Sequence, residues 1–393
     1  MFIPLRNLII NILSSFIPDR KASHNFREKY KRKSNFRKLK DDLNWIKNEI
    51  YKQNNTLSSQ ASFATQAKIS YEINDYLNLT NKHLFLLGQR GRGVSAHQIT
   101  FIDQFNEKVE DGVYVTVPNK CVCGSDSDEL IAVRDRYGIR INTVICKHCG
   151  LIRANPYYDK KTLADFYSNE FDEIYRGGIE LGFDDYFEKR VAAGEQIIET
   201  LKDSSISLNN QTVYEIGCAG GGVLKAFQNL GCNVIGVDYN KNMIESGKEK
   251  GLDLRFGSTE SLLGCEPADI IILNHVLEHI TEPIATLKEM RKILKDSGIL
   301  FVEVPTIEVI SSTYKNNIFS YIQNAHIFYF SLHTLRYILE CSGYSCSEVS
   351  PNGMIARKSA NERGTSDICK NEYEYALEVL GNAERAFWGS FNK

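Results

Sequence analysis

The sequence offers no unbroken apolar run of the about 20 residues that a membrane-spanning helix needs. The N-terminal stretch has Phe2, Ile3, Leu5, Leu8, Ile9, Ile10, Ile12, Leu13, Phe16 and Ile17, but Pro4, Arg6, Asn7, Asn11 and serines interrupt it. A secretory signal fits it poorly, because the basic start and the small-residue cleavage site are weak. A disulfide framework is missing too. Of ten cysteines, only Cys121, Cys123, Cys146 and Cys149 stand at short spacings, while Cys218, Cys232, Cys265, Cys341, Cys346 and Cys369 are scattered. This pattern points to a reducing, cytoplasmic compartment. Net charge is small as well, −2 over 393 residues, but it hides an asymmetry. Residues 1–40 carry eleven Lys and Arg against Asp19 and Glu28, a net +9 that leaves −11 for the remainder. An acidic body of this kind argues against a nucleic-acid partner.

What is present is ordinary for a globular chain, with 42% hydrophobic and 24% charged residues, and the length suits more than one domain. The most informative stretch runs from Thr212 to Asn240. Val213, Tyr214 and Ile216 form a short β-branched and aromatic run, which Gly217, Cys218, Ala219, Gly220, Gly221 and Gly222 stop. That is a strand ending in a tight turn. Val223, Leu224, Phe227 and Leu230 follow at helical spacing up to Gly231, and Asn233 to Val237 make a second strand that closes on Asp238. Glycines let a ligand approach the main chain, the helix start offers unpaired N–H groups, and an acid closing the next strand can hold ribose hydroxyls. The glycine spacing fits the dinucleotide fingerprint poorly, and Glu215 would repel a pyrophosphate. A sulfonium nucleoside with an amino-acid tail suits the same acids, since its ammonium and its ribose both accept acidic partners.

Two further cysteine pairs, Cys121-x-Cys123-Gly124 and Cys146-x-x-Cys149-Gly150, flank the strand-like pieces Leu130 to Val133 and Ile139 to Ile145. Two turns that each present two thiolates can meet as one tetrahedral zinc site, and four thiolates leave no open position, so the metal would be structural. The first pair is one residue short of the commoner spacing, and His148 lies between the ligands of the second. Ala154 to Lys202 reads as helical and aromatic, with a density of rings that belongs in a core. After the glycine stretch, strands are expected at Leu252 to Gly257, Ala268 to Leu273 and Ile299 to Val304. The apolar positions Ile284, Leu287, Met290 and Ile293 mark a helix between the last two. Tyr344 to Val349 and Met354 to Arg357 supply two closing strands, and Glu372 to Trp388 a C-terminal helix.

This order of elements, with Glu215, Gly217 and Gly221 at the first motif, Asp238 at the second and Asn274-His275-Val276-Leu277-Glu278-His279 at the fourth, resembles class I S-adenosylmethionine-dependent methyltransferases. The resemblance implies an α/β, Rossmann-like seven-stranded methyltransferase fold, preceded by a small zinc-ribbon-like module and an N-terminal helical basic segment. It divides the chain into an amphipathic and basic segment (1–60), a connecting region (61–112), the four-cysteine module (113–155), the methyltransferase domain with its lid (156–358) and a C-terminal helix (359–393). S-adenosylmethionine would be held by Glu215, Gly217, Ala219, Gly221, Asp238, Ser258, Asn274, Tyr175 and Arg176, with Ala219 replacing the usual middle glycine. His326, His279 and His275 are the candidate bases, because histidine titrates near neutral pH. A divalent-metal site of Glu278, His279 and His326 is the lesser alternative, Asn274 standing where an acid would strengthen it.

The four-cysteine module, the Gln323-Asn324-Ala325-His326 segment and the apolar-then-basic start resemble bacterial surface-polysaccharide methyltransferases and the zinc-bearing sugar C-methyltransferases. The acceptor so implied is a sugar, nucleotide-sugar or glycan-precursor substituent. An RNA methyltransferase with a zinc ribbon and a non-catalytic cofactor-binding scaffold are the alternatives. An apolar helix followed by the basic tract Arg20 to Lys40 is a two-signal pattern of peripheral attachment at the inner face of the cytoplasmic membrane. Packing of that helix on its own or a partner's domain is the equal alternative, and the sequence leaves the oligomeric state open.

Overall fold

The computed structural model describes residues 94–175, 177, 182–365 and 371–390. The expectations for the N-terminal basic segment, for the connecting region up to residue 93 and for Arg176 lie outside the described residues. No helix among the described residues is long and apolar enough to cross a membrane.

Helix α1 (Ala96–Glu110) starts at a capping box in which the Ser95 hydroxyl accepts from the Gln98 N–H and the Gln98 side chain reaches back to the Ser95 N–H. Strand β1 (Thr116–Val117) leads into the cysteine region, where β2 (Asp128–Arg134), β3 (Arg140–Cys146) and β4 (Ile152–Ala154) form an antiparallel sheet. Strand β5 (Tyr157–Tyr158) returns to pair with β1. The stretch from Ala154 is therefore not helical from its start. Helix α2 (Lys160–Asp165), a wide turn over Phe166–Glu170 and α3 (Phe171–Tyr175) come only after β5, and the 21-residue α4 (Phe183–Asp203) completes the segment. Its aromatics do enter the core: Phe166 packs edge-on against Phe105, Phe171 and Tyr175.

Strand β6 (Thr212–Ile216), α5 (Gly222–Asn229), β7 (Asn233–Asp238), α6 (Lys241–Glu249), β8 (Asp253–Phe256), β9 (Ala268–Asn274), α7 (Pro283–Met290) and β10 (Leu294–Glu303) follow, alternating except between β8 and β9, which only a short turn over Thr259–Leu262 joins. Helix α7 stops at Met290, short of Ile293, yet Ile293 and Leu294 remain buried as the chain enters β10. Two short helices, α8 (Ile310–Thr313) and α9 (Ile318–Tyr321), precede β11 (Phe328–Tyr329), α10 (Leu332–Cys341), β12 (Tyr344–Ser350), β13 (Gly353–Lys358) and α11 (Glu372–Gly389). The large sheet has seven strands in the order β12-β13-β10-β9-β6-β7-β8. From β10 to β8 all neighbours are parallel, and β13 inserts antiparallel between β10 and β12. This is the Rossmann-like α/β architecture expected from the sequence. The strand order reverses between β6 and β9, so their carboxyl ends open a crevice of the kind in which such sheets bind ligands.

The cysteine region is built into this body. Strand β11, from beyond β10, pairs with β4 and extends the small sheet to the order β11-β4-β3-β2. Cys121, Cys146 and Cys149 are buried in one apolar cluster with Val302 of β10 and with Leu335 and Ile338 of α10. Ala376 and Leu380 of α11 cover Ile131, Ile145 and Ile152 on the other side of the small sheet.

Candidate functional site

The glycine turn leaves β6 at Gly217, whose φ of +71° would be strained for any other residue, and a Cβ there would meet a Val276 methyl at 2.6 Å. Gly217 and Cys218 donate their N–H groups to the Val237 carbonyl, and Ala219 takes a positive φ of 48° without being glycine. The Ala219 N–H is held by the Asp238 carboxylate at 2.8 Å, while the other Asp238 oxygen accepts from Asn240 N at 2.7 Å. At Gly221, φ +77°, a Cβ would meet Leu252 at 2.7 Å. Glu215, Gly217, Ala219, Gly221 and Asp238 are thereby brought to one end of the sheet.

Glu215 is buried and its Oε2 has no hydrogen-bond partner. Burial pushes its carboxyl up, to about 8, against the pull of Arg190, with Asp238 adding to the rise. Arg190, on α4, lies 3.9 Å from Glu215 Oε1 and donates to the Asn274 Oδ1 at 2.5 Å. An acid raised by burial costs folding stability as pH rises from its unfolded value near 4.5 through about 8. Glu215→Gln, which stays neutral, should therefore gain thermal stability relative to the parent as pH rises from 5 to 8 and level off above. A melting-temperature difference that does not change with pH would refute this placement of the charge.

Asn274 closes β9 and bridges Arg190 to Glu303, donating to Glu303 Oε1 at 3.0 Å. The Ser258 hydroxyl, after β8, is bonded to the Glu260 carboxylate, while Thr259 is buried with an unpartnered hydroxyl. The Tyr175 hydroxyl, expected at the cofactor's tail, is engaged elsewhere: it donates to Asn324 Oδ1 at 2.6 Å and accepts from Ala325 N at 3.0 Å. It ties α3 to the Gln323–His326 loop.

The three histidines meet around Glu278, which sits in the short turn Leu277–His279 after β9. Glu278 is 1% exposed and neither carboxylate oxygen has a hydrogen bond. Its Oε1 lies 3.7 Å from His275 Nδ1, 3.8 Å from His279 Nε2 and 3.8 Å from His326 Nε2. Burial works against a charge on His275, but Glu278 and Glu303 outweigh it and raise the imidazole to about 9. His326 is driven well below its ordinary value by burial, then by His279, Arg136 and His275. His279 Nδ1 lies 2.7 Å from the Ala325 carbonyl, to which it donates as the Nδ1–H tautomer, leaving Nε2 as an acceptor. At neutral pH His275 is thus a cation and His326 a neutral imidazole.

Remote segments hold the Gln323–His326 loop. Asp135, in the turn between β2 and β3, accepts from Asn324 N at 3.0 Å, and Arg136 N donates to the Ile322 carbonyl at 2.8 Å. Tyr157 Oη donates to the Asn324 carbonyl at 3.0 Å. The cysteine region therefore buttresses the loop that carries His326. Arg190, Glu303, Asp135 and Arg136 were not singled out from sequence; only the position of Glu303 at the end of a strand offered a signal.

Sγ–Sγ distances among the cysteines are 3.4 Å for Cys121–Cys149, 3.5 Å for Cys121–Cys123 and 3.7 Å for Cys123–Cys146. All four Sγ atoms lie within 4.8 Å of one another. They are free thiols, too far apart for disulfides, and they approximate the ~3.8 Å edge of a tetrahedron with ~2.3 Å zinc–sulfur bonds. Gly124 and Gly150, both at positive φ, close the two turns, donating to the Cys121 and Cys146 carbonyls. The short Cys-x-Cys spacing is accommodated by the turn at Gly124, and His148 is exposed and outside the cluster.

A family model described as a methyltransferase domain matches residues 187–349. The chain is 30% identical over 141 residues to a ubiquinone biosynthesis O-methyltransferase of Pelagibacter ubique, covering 34% of this chain and 57% of that protein. It is 33% identical over 99 residues to a protein of the same name from Caulobacter vibrioides, covering 23% and 39%. The chain thus spans little more than half the length, or less, of these curated relatives. Among solved structures it is similar to magnesium protoporphyrin IX methyltransferase from Synechocystis PCC 6803 with bound SAH. That likeness has 18% identity and a TM-score of 0.37 over 50% of this chain and 98% of the other.

Proposed function

We propose that this chain, whose residues 187–349 match a model described as a methyltransferase domain, uses S-adenosylmethionine to methylate a hydroxyl of a sugar, nucleotide-sugar or glycan precursor. The observation that carries the cofactor half of this reading is the buried Glu215 carboxyl with an orphaned oxygen beside the glycine turn. It suits the ammonium of the amino-acid tail, and Asp238 at the neighbouring strand end suits the ribose. S-adenosylmethionine, when bound, supplies an electrophilic methyl group. The chain's own residues hold and orient: Glu215 and Asp238 fix the two ends of the cofactor, and Arg190 with Asn274 braces the crevice wall. His279 Nε2 then takes the acceptor's proton, with Glu278 stabilising the resulting imidazolium.

The matched relatives are named O-methyltransferases, which supports an oxygen acceptor. The sugar class rests on the sequence resemblance of the cysteine module and the Gln323–His326 loop. We further propose that Cys121, Cys123, Cys146 and Cys149 hold one structural zinc and that residues 1–40 attach to an anionic bilayer. The test is transfer of isotope-labelled methyl by the purified full chain onto a panel of nucleotide sugars, glycan precursors and polyprenylated catechols. Labelled sugar is the expected product. Label only on the catechols would reject the sugar acceptor while keeping the enzyme, and absence of S-adenosylhomocysteine binding by calorimetry would reject the cofactor site itself.

A further inference from the structure

The Glu278 cluster poses a problem that proton transfer alone does not solve. A carboxylate that is 1% exposed, with no hydrogen bond to either oxygen, is a costly group to leave in a protein interior. The imidazoles around it stand 3.7–3.8 Å from Oε1, beyond hydrogen-bond length. Nε2 of His279 and Nε2 of His326 each stand 3.8 Å from Glu278 Oε1, a few tenths of an ångström outside the spacing of neighbouring ligands on one ion, so a small inward movement would close the set. With metal–nitrogen and metal–oxygen bonds of ~2.0–2.2 Å, neighbouring ligand atoms fall ~3.0–3.6 Å apart.

We propose that Glu278, His279 and His326 bind a divalent transition-metal ion at the acceptor mouth, separate from the four-cysteine site. Glu278 Oε1, His279 Nε2 and His326 Nε2 supply one ligand atom each, and these atoms lie within 4.8 Å of one another. The set of two imidazoles and one carboxylate suits zinc, iron, cobalt or manganese rather than calcium. Second contacts orient both imidazoles: His279 Nδ1 is held by the Ala325 carbonyl, as ligating histidines are held through their other nitrogen. Gln323 Nε2 touches the His326 ring, 3.2 Å from Nδ1 and closer to Nε2, so its amide must rotate away from Nε2 when an ion binds. Glu303, with Asn274 between it and Arg190, lies 3.5 Å from His275 Nε2 and adds negative charge behind the site, in the role that Asn274 itself cannot fill. With an ion bound, His279 Nε2 would be a ligand in place of acting as the base, and three protein ligands, unlike the closed cysteine set, would leave positions at which the acceptor oxygen is held and its proton made easier to release. The inference rests on the acceptor mouth assigned above, but its test does not depend on methyl transfer.

Zinc-loaded full-length protein is titrated with Co2+ and followed by visible absorption, with metal analysis of the retained zinc. One Co2+ per chain is expected, with d–d bands free of thiolate charge transfer and no loss of zinc. Glu278→Gln and, independently, His279→Gln on the more exposed side should each weaken Co2+ binding at least tenfold while S-adenosylhomocysteine still binds, which certifies the fold. Absence of Co2+ binding, thiolate bands alone, or undiminished binding by both folded variants would overturn the proposal.

Discussion

Cys146→Ser should abolish binding of the proposed zinc and unfold the seven-stranded sheet along with the cysteine turns. Structural zinc contributes ~10–16 kcal/mol of apparent binding energy in small peptides, against a net domain stability of ~5–15 kcal/mol. Losing even half of it would therefore remove most of the margin. The effect would not stay local. Cys146 is fully buried in the cluster that includes Val302, Leu335 and Ile338, and the Cys146-x-x-Cys149 turn ends at Gly150, where a Cβ would meet the Glu372 backbone at 2.6 Å. Strand β3, which ends at Cys146, is paired through β4 to β11, and the turn at Asp135 holds the Asn324 N–H. Metal analysis should fall from about one zinc per chain to near none. The melting transition should drop as one event for the whole body, and S-adenosylhomocysteine binding should fall with it. A variant that keeps its zinc would show a different ligand set, with His148 the nearest substitute in sequence.

The second large effect is expected at Asp238. Its carboxylate already accepts two backbone N–H groups, from Ala219 at 2.8 Å and Asn240 at 2.7 Å, before any ribose contact is counted. Asp238→Ala removes the ribose partner and also releases Ala219 from its positive φ, so the glycine turn loses its shape together with its acid. Hydrogen bonds to a charged group are worth ~1.5–3 kcal/mol, which corresponds to a roughly ten- to hundredfold loss of affinity for S-adenosylhomocysteine. Calorimetry that returned an unchanged affinity would remove Asp238 from the cofactor site.

Both predictions concern residues that were legible in the sequence, and for the same reason. The glycine turn and the two strand-end acids lie within 24 residues of one another, from Glu215 to Asp238, and their arrangement follows from strand, turn and helix periods that are local. Cysteine pairs are legible in the same way, because two thiols in one tight turn are already half a tetrahedral site. The aromatic segment after Ala154 misled over its first residues. Tyr157 and Tyr158 belong to a two-residue strand whose partner, Thr116–Val117, lies about 40 residues upstream, and such a pairing leaves no periodic trace.

What the sequence by itself determined is the order of strands and helices from Thr212 to Lys358, the convergence of the glycine turn with Asp238 at the ends of β6 and β7, and the pairing of four thiols. What only the tertiary structure decided is the chemistry of the acceptor side. Glu278 becomes a buried, unbonded carboxylate because β9 delivers it under a loop that begins 45 residues later at Gln323. The Gln323–His326 loop stands where it does because Asp135 of the cysteine region and Tyr175 of α3 hold its backbone. Burial and the convergence of charges set whether a histidine is a cation, as His275 is, or a neutral ligand, as His326 is. Both depend on contacts between residues as far as 189 positions apart, which no local pattern of residue types encodes.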